Sequence, residues 1–271
     1  MKKLLLIFLG LLATSCAKPY EQYYTATTKG IDISKFVDVT RTEPKLMIGN
    51  DVKSDSIQMA ENGYACLGYS SFQGRKINES QAIEQAKKVN ASIVLVYSKY
   101  LDTLSGYSPL ILPDYKTSVT NVTASAYGSS GYATGYGAGT TTTYGTQTTY
   151  VPYHIDRFDQ GATYWAKKKY PPVLGVRGSE IPPELRQKIG SNKGLLVFVV
   201  EKQSPAYRAD IVNGDIVKKI NNTEIYDEST LESALRLNAE KKVSILLIRD
   251  GKEIIKEVVL NPVPPGLQIW E

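Results

Sequence analysis

Val173-Leu174-Gly175-Val176-Arg177 opens the stretch that decides the fold of the C-terminal part of this chain. It continues through Gly194-Leu195-Leu196-Val197-Phe198-Val199-Val200 and Ser204-Pro205-Ala206-Tyr207-Arg208-Ala209-Asp210. Then come Asn213-Gly214-Asp215-Ile216-Val217-Lys218-Lys219-Ile220-Asn221, and last residues 243–248 with Arg249-Asp250-Gly251-Lys252. Leu195, Val197 and Val199 alternate with Leu196, Phe198 and Val200, and both sets are apolar, as in a strand buried on both faces. Asn213-Gly214-Asp215 reads as a tight turn, because glycine takes a positive φ without a steric cost. Asp250-Gly251 between two apolar runs is a hairpin signal. Leu231, Ala234, Leu235 and Asn238 fall at helical spacing. The stretch therefore specifies a small antiparallel sheet with one main helix.

In their order and spacing these blocks resemble a PDZ domain of the circularly permuted bacterial form found in HtrA-type periplasmic proteins. The resemblance covers about a third of the chain, a normal size for a small domain. It implies a groove that takes an extended peptide as an added strand. Leu174, Gly175 and Val176 would form the loop that receives a terminal carboxylate, and Arg177 would continue the groove strand. Leu235 would line the pocket floor, with Glu228 and Glu232 toward the peptide on the same helix face.

The chain has 271 residues, enough for two domains. Its net charge of +5 includes Lys2 and Lys3, in a segment expected to be removed, which leaves +3. With no dense basic patch, nucleic acid is not an expected partner. Two cysteines, Cys16 and Cys66, do not make a disulfide framework, and a single histidine, His154, does not suit a histidine-built metal site. No metal or other cofactor is expected. Residues 1–15 read as a targeting segment, with Lys2 and Lys3 before the apolar run 4–13. The run ends Leu12-Ala13-Thr14-Ser15-Cys16, which resembles the lipobox of bacterial lipoproteins. That resemblance implies that Cys16 is acylated, giving an anchor in the membrane. Ala17 in place of Asp at the next position implies sorting to the outer membrane, facing the periplasm. Residues 16–43 are expected to be a polar tether.

Residues 44–170 read as a mixed α/β domain, so the fold class is α+β: this domain, then a PDZ domain at 171–265 built as a small antiparallel β-sandwich or barrel with two helices. Lys45 to Gly49 is a short strand candidate, Asp51 to Asn62 a helix closed by Gly63, and Tyr64 to Phe72 a strand. A second helix carries Ala82, Ile83, Ala86 and Val89, with Asn78 as cap and Gln81 completing a capping box. Ile93 to Tyr97 is a buried strand, and strand–helix–strand of this length suggests a parallel crossover. Cys66 reads as a small buried hydrophobe. Gly161 to Ala166 is expected to close the domain as its last strand. Between these lies a low-complexity Gly/Thr/Tyr segment at 117–150, whose uncharged composition cannot bury a core; it reads as a long mobile loop or a ragged hairpin.

PDZ domains often accompany proteases, but this sequence has no Gly-Asn-Ser-Gly-Gly-like segment, and Asp102-Thr103-Leu104-Ser105-Gly106 breaks the aspartic-protease pattern. No catalytic residues are assigned, and the expectation is a non-enzyme. The expected function is that of a membrane-anchored adaptor or scaffold using the groove of the PDZ-like region, with C-terminal or extended segments of envelope proteins as partners. One rival is an enzyme with a site around Asp156, Asp159 and Tyr164 in the first domain. The other is a structural envelope protein that makes its contacts through the Tyr/Thr/Gly segment.

Overall fold

The computed structural model describes residues 18–27, 35–39 and 43–265. The targeting segment and Cys16 lie outside the described residues.

The first sheet has five strands: β1 (Tyr24–Ala26), β2 (Lys45–Ile48), β3 (Tyr64–Gly74), β4 (Ile93–Gly128) and β5 (Gly131–Lys167), in the order β1-β3-β5-β4-β2. β2 pairs with β4 in parallel, and β3 pairs with both β1 and β5 in antiparallel fashion. A turn at residues 129–130 joins β4 to β5 as a hairpin. β3 and β4 therefore run parallel with β5 between them, so the expected parallel crossover is present with a strand inserted. The strand expected at Gly161 to Ala166 is the end of β5, the last strand of this sheet in the chain, and it lies at the centre of the sheet. Its alternation explains why: Ala162, Tyr164 and Ala166 enter one apolar cluster, while Trp165 enters another with Met59 and Leu95. A strand buried on both faces belongs inside the sheet.

Helix α2 (Val52–Glu61) starts at Asp51, whose side chain accepts from the Ser54 amide at 2.8 Å. It covers the Trp165 face through Met59. Helix α3 (Ser80–Lys88) covers the other face through Ala82 and Ala86, with Lys87 and Lys88 in its last turn as the helix dipole favours. Asn78 does not form the expected capping box. The N-cap is Glu79, which makes no side-chain cap bond, and Asn78 accepts from the Ser80 amide at 2.8 Å instead.

The expected tether is not free over residues 18–27. A short helix, α1 (Pro19–Gln22), and β1 pack on the sheet, and Tyr20 is buried with its ring edge-on to Phe72 at 5.0 Å. The Ser70 hydroxyl donates to the Tyr20 carbonyl at 2.6 Å and lies 3.0 Å from the Tyr164 hydroxyl. Burial pushes the Tyr20 phenol up to about 12. Aromatic burial outweighs the polar composition here, because one ring hides more apolar area than several polar neighbours expose.

Residues 100–157 of β4 and β5 form a compact unit of their own. Across the hairpin Asp102 accepts from Arg157, Asp156 accepts from Thr103 at 2.6 Å, and Ser105 meets His154 Nδ1 at 2.8 Å. Tyr115 and Tyr144 meet edge-on at 5.4 Å. Of the two sequence alternatives for 117–150, the structure holds the hairpin, with nearly all of its side chains exposed.

The second sheet holds β6 (Val176–Ser179), β7 (Leu195–Val200), β8 (Ile216–Ile220), β10 (Lys242–Arg249) and β11 (Lys252–Val259), in the order β11-β10-β8-β7-β6, with β9 (Thr223–Glu224) paired to β8. All these pairings are antiparallel, and the sheet is open rather than a closed barrel. The main helix is α6 (Glu228–Leu237); α4 (Pro183–Ile189) and α5 (Pro205–Arg208) are short. Leu231 and Ala234 of α6 join Leu195, Val197, Val217, Ile220 and Ile245 in one core. Asp215, fully buried, takes two hydrogen bonds from Arg249 at 2.7 and 2.8 Å and one from the Val212 amide at 2.9 Å. A buried carboxylate held this way is paired and saturated, as burial of a charge requires. Among the described residues no helix is long and apolar enough to cross a membrane.

Candidate functional site

Pro171 and Pro172 lead the chain into the loop Val173–Leu174–Gly175, and Gly175 has φ +90. Every carbonyl along this turn is engaged. Pro172 accepts from the Asn261 side chain at 2.8 Å, Val173 from the Asn261 amide at 3.0 Å, Leu174 from the Ala206 amide at 2.9 Å, and Gly175 from the Glu201 amide at 2.8 Å. The Leu174 and Gly175 amides have no acceptor among the described residues. The side chain of Leu174 points inward and is 1% exposed.

β6 follows this loop at the end of its sheet, bonded to β7 on one side and open on the other. An open edge is a row of backbone donors and acceptors ready for one more strand. Helix α6 is fixed by Asp227, which accepts from the Thr230 amide at 2.8 Å while its own amide donates to the Thr230 hydroxyl at 3.0 Å. That capping box turns Leu231 and Ala234 into the core and leaves Leu235 half-buried against the same core.

A cavity of about 430 Å³ opens here, within the usual size of a ligand pocket. Leu174, Gly175, Val176, Arg177 and Leu235 all line it, so five sequence-assigned residues come together at one place. Glu228 and Glu232 do not line this cavity. Both are exposed on α6, and Glu232 pairs with Arg236 at 2.7 Å. Sequence reasoning missed other lining residues: Phe36 and Val37 of the segment 35–39, Ala60 of α2 and Ala65 of β3. It also missed Glu201, nearly buried at the rim and ion-paired with Lys168. Arg177 has no carboxylate partner among the described residues, so the cavity carries one uncompensated positive charge.

Further bonds tie residues 61–62 to residues 202 and 213. The Lys202 amide donates to the Glu61 carbonyl at 2.8 Å, and Lys202 Nζ donates to Asn62 at 2.9 Å. The Asn213 side chain reaches Glu61 at 3.3 Å.

The residues of the rival enzymatic reading do not assemble. Tyr164 is fully buried in the sheet core, and its phenol is held well above the usual range by that burial. Asp156 is exposed and bonded to Thr103, and Asp159 lies beside a separate cavity with Tyr97 and Ser71. Cys66 is half-buried, its thiol pushed up by desolvation, with Sγ donating to the Gly68 carbonyl at 3.5 Å. Among the described residues no cluster of His, Cys, Asp and Glu could hold a metal ion.

Residues 172–260 match the family model of the PDZ domain. The chain is 32% identical over 91 residues to a probable periplasmic serine endoprotease, DegP-like, of Chlamydia muridarum, covering 32% of this chain and 18% of that protein. It is 32% identical over 94 residues to a protein of the same description from a Marinomonas species, covering 34% of this chain and 20% of that protein. The chain thus spans about a fifth of the length of the curated relatives it matches, and the match covers their PDZ domain and not the protease domain. Among solved structures it resembles the HtrA3 PDZ domain bound to a phage-derived ligand (FGRWV), at 26% identity over 36% of this chain and 93% of that one, with a TM-score of 0.30. It also resembles the HtrA-type protease AlgW with a tripeptide, at 25% identity, 38% of this chain and 42% of that one, with a TM-score of 0.30.

Proposed function

We propose that the groove of the C-terminal PDZ domain, which is homologous to those of HtrA and DegP proteins, binds extended peptide segments by their C-terminal ends and that the chain serves as an adaptor or scaffold in the cell envelope. One observation carries this reading: Leu174 and Gly175, whose amides have no acceptor among the described residues, line an apolar cavity at the start of an open strand edge. The amides and the Arg177 charge suit a carboxylate. Leu174, Val176 and Leu235 suit an apolar last side chain, whose burial is worth roughly 1.5–3 kcal/mol. The open edge of β6 takes the peptide backbone as a sixth neighbour in the row. Any pull on basic ligand residues is left to Glu228, because Glu232 already holds Arg236.

The envelope setting rests on the lipobox-like run ending at Cys16 and on the periplasmic description of the DegP-like relatives. In this reading Cys16 is acylated, and the protein faces the periplasm from the outer membrane. The Cys16→Ser variant then takes up no labelled fatty acid; incorporation into that variant, or none into the natural chain, refutes the anchor. For the groove, an array of C-terminal peptides on the full chain separates binders by their last residue. Leu235→Glu abolishes the selection if the reading holds, and an unchanged pattern in that variant places recognition elsewhere.

A further inference from the structure

The hairpin of residues 102–157 presents two long strand edges that nothing in the described chain covers. Pairing of β4 with β2 ends at Val96, and pairing of β5 with β3 begins at Phe158. Residues 102–128 span about 90 Å at the usual rise of a strand. An isolated two-stranded hairpin is at best marginally stable in water, and a third strand is the usual remedy.

The two faces differ. Tyr115 meets Tyr144, and Tyr127 meets Tyr132 at 4.7 Å, which fixes the register. Alternation then places Tyr107, Tyr115 and Tyr127 of β4 and Tyr132, Tyr136, Tyr144 and Tyr150 of β5 on one face. All seven are exposed. The opposite face carries Ala124, Ala126, Ala133, Gly135, Gly137 and Gly139.

Natural edge strands are guarded by charge, proline or a bulge. No Asp, Glu, Lys or Arg occurs between Lys116 and Asp156, and the prolines of the hairpin, Pro109, Pro113 and Pro152, sit away from its turn. The distal part of both edges is therefore unguarded, and no charge on it repels an identical neighbour.

From these observations we infer that the hairpin is a self-association element: the β4 edge of one copy pairs with the β5 edge of a second copy of this chain. The occupant is a second copy because the hairpin itself supplies both edges. β4 and β5 run in opposite directions, so copies placed side by side in the same orientation meet in antiparallel register. Such head-to-tail contact closes into a ring or runs on as a filament. Either product is one continuous sheet with a tyrosine face and a small-residue face.

The test is the mass of the full chain in detergent, by sedimentation and light scattering at about 50 µM. The inference expects a multiple of the mass of one processed chain, or filaments. Replacing residues 107–150 by a short Gly/Ser turn returns the mass to one chain while thermal unfolding of the remainder is kept. A second variant, Ala124→Lys with Ala133→Lys, leaves the hairpin length intact and sets like charges on neighbouring copies at diagonal positions of the same face. It weakens association about tenfold at low salt, and added salt restores part of it. A monomeric natural chain overturns the inference, and so does an oligomer indifferent to both variants. A chain that stays monomeric until a foreign envelope protein is added assigns the edges to that protein instead.

Discussion

Gly175 lies so close to Ser204 that a methyl group on Gly175 would sit 2.2 Å from the Ser204 Cβ. Its φ of +90 is also one that residues with a side chain rarely adopt. Ser204 cannot retreat, because its hydroxyl accepts from the Tyr207 amide at 3.2 Å as the N-cap of α5. Gly175→Ala is therefore expected to move the loop that carries the Leu174 and Gly175 amides. Peptide affinity should fall by about tenfold or more, with a stability loss of about 1–3 kcal/mol. Titration of a binding peptide and thermal melts of the same variant check both.

Asp215 and Arg249 hold the Asn213–Asp215 turn to the end of β10. Removing the guanidinium strands a fully buried carboxylate, which costs about 3–5 kcal/mol. Arg249→Met should lower the unfolding free energy read from urea titration by that amount. The double variant Arg249→Met with Asp215→Leu should recover much of it, because both charges are then gone. No recovery would mean that the pair does more than balance its own burial.

How much of this could be read from the sequence follows from what is local. That 174–177 and Leu235 meet at one cavity was legible because the PDZ-like blocks stand in a fixed order along the chain. The other lining residues were not, because Phe36, Val37, Ala60 and Ala65 lie far from these blocks in the chain. Residues 161–166 read as a last strand because sequence shows where a strand stops, not which strands flank it. The buried Tyr20 was hidden by polar neighbours, and the hairpin by a composition that forms no core. Glu232 lies outside the cavity lining, and its charge is already paired with Arg236 four residues on, a local competition that helical spacing alone does not show.

Glu224 gives an acid-side signature. Hydrogen bonds from Lys193 and Tyr226 lower its carboxyl from 4.5 to about 2. The folded state thus favours the ionised form. Its contribution is complete above about 4.5 and is lost as pH falls toward about 2. The stability difference between the natural chain and Glu224→Gln should shrink through that window and be constant above it. It should also be smaller in high salt, since the pair is exposed. Melts of both proteins across the acid range check this.

Cys66 should be a slow thiol. Burial raises it above the usual range, and the thiolate is the species that reacts. Alkylation of Cys66 near neutral pH, followed by mass spectrometry, is expected to be much slower in the folded chain than after denaturation. Equal rates would mean that this strand opens freely.

The central claim is tested most directly by one titration. A peptide with an apolar last residue and a free C-terminal carboxylate is added to the full chain, and its C-terminally amidated twin is added in parallel. The free acid should bind with micromolar affinity, and the amide about tenfold or more weaker, because it removes the charge that the Leu174 and Gly175 amides and Arg177 are placed to meet. Equal binding of the two peptides, or no binding of either across a broad set of apolar termini, would contradict the account and leave the PDZ domain as a packing module.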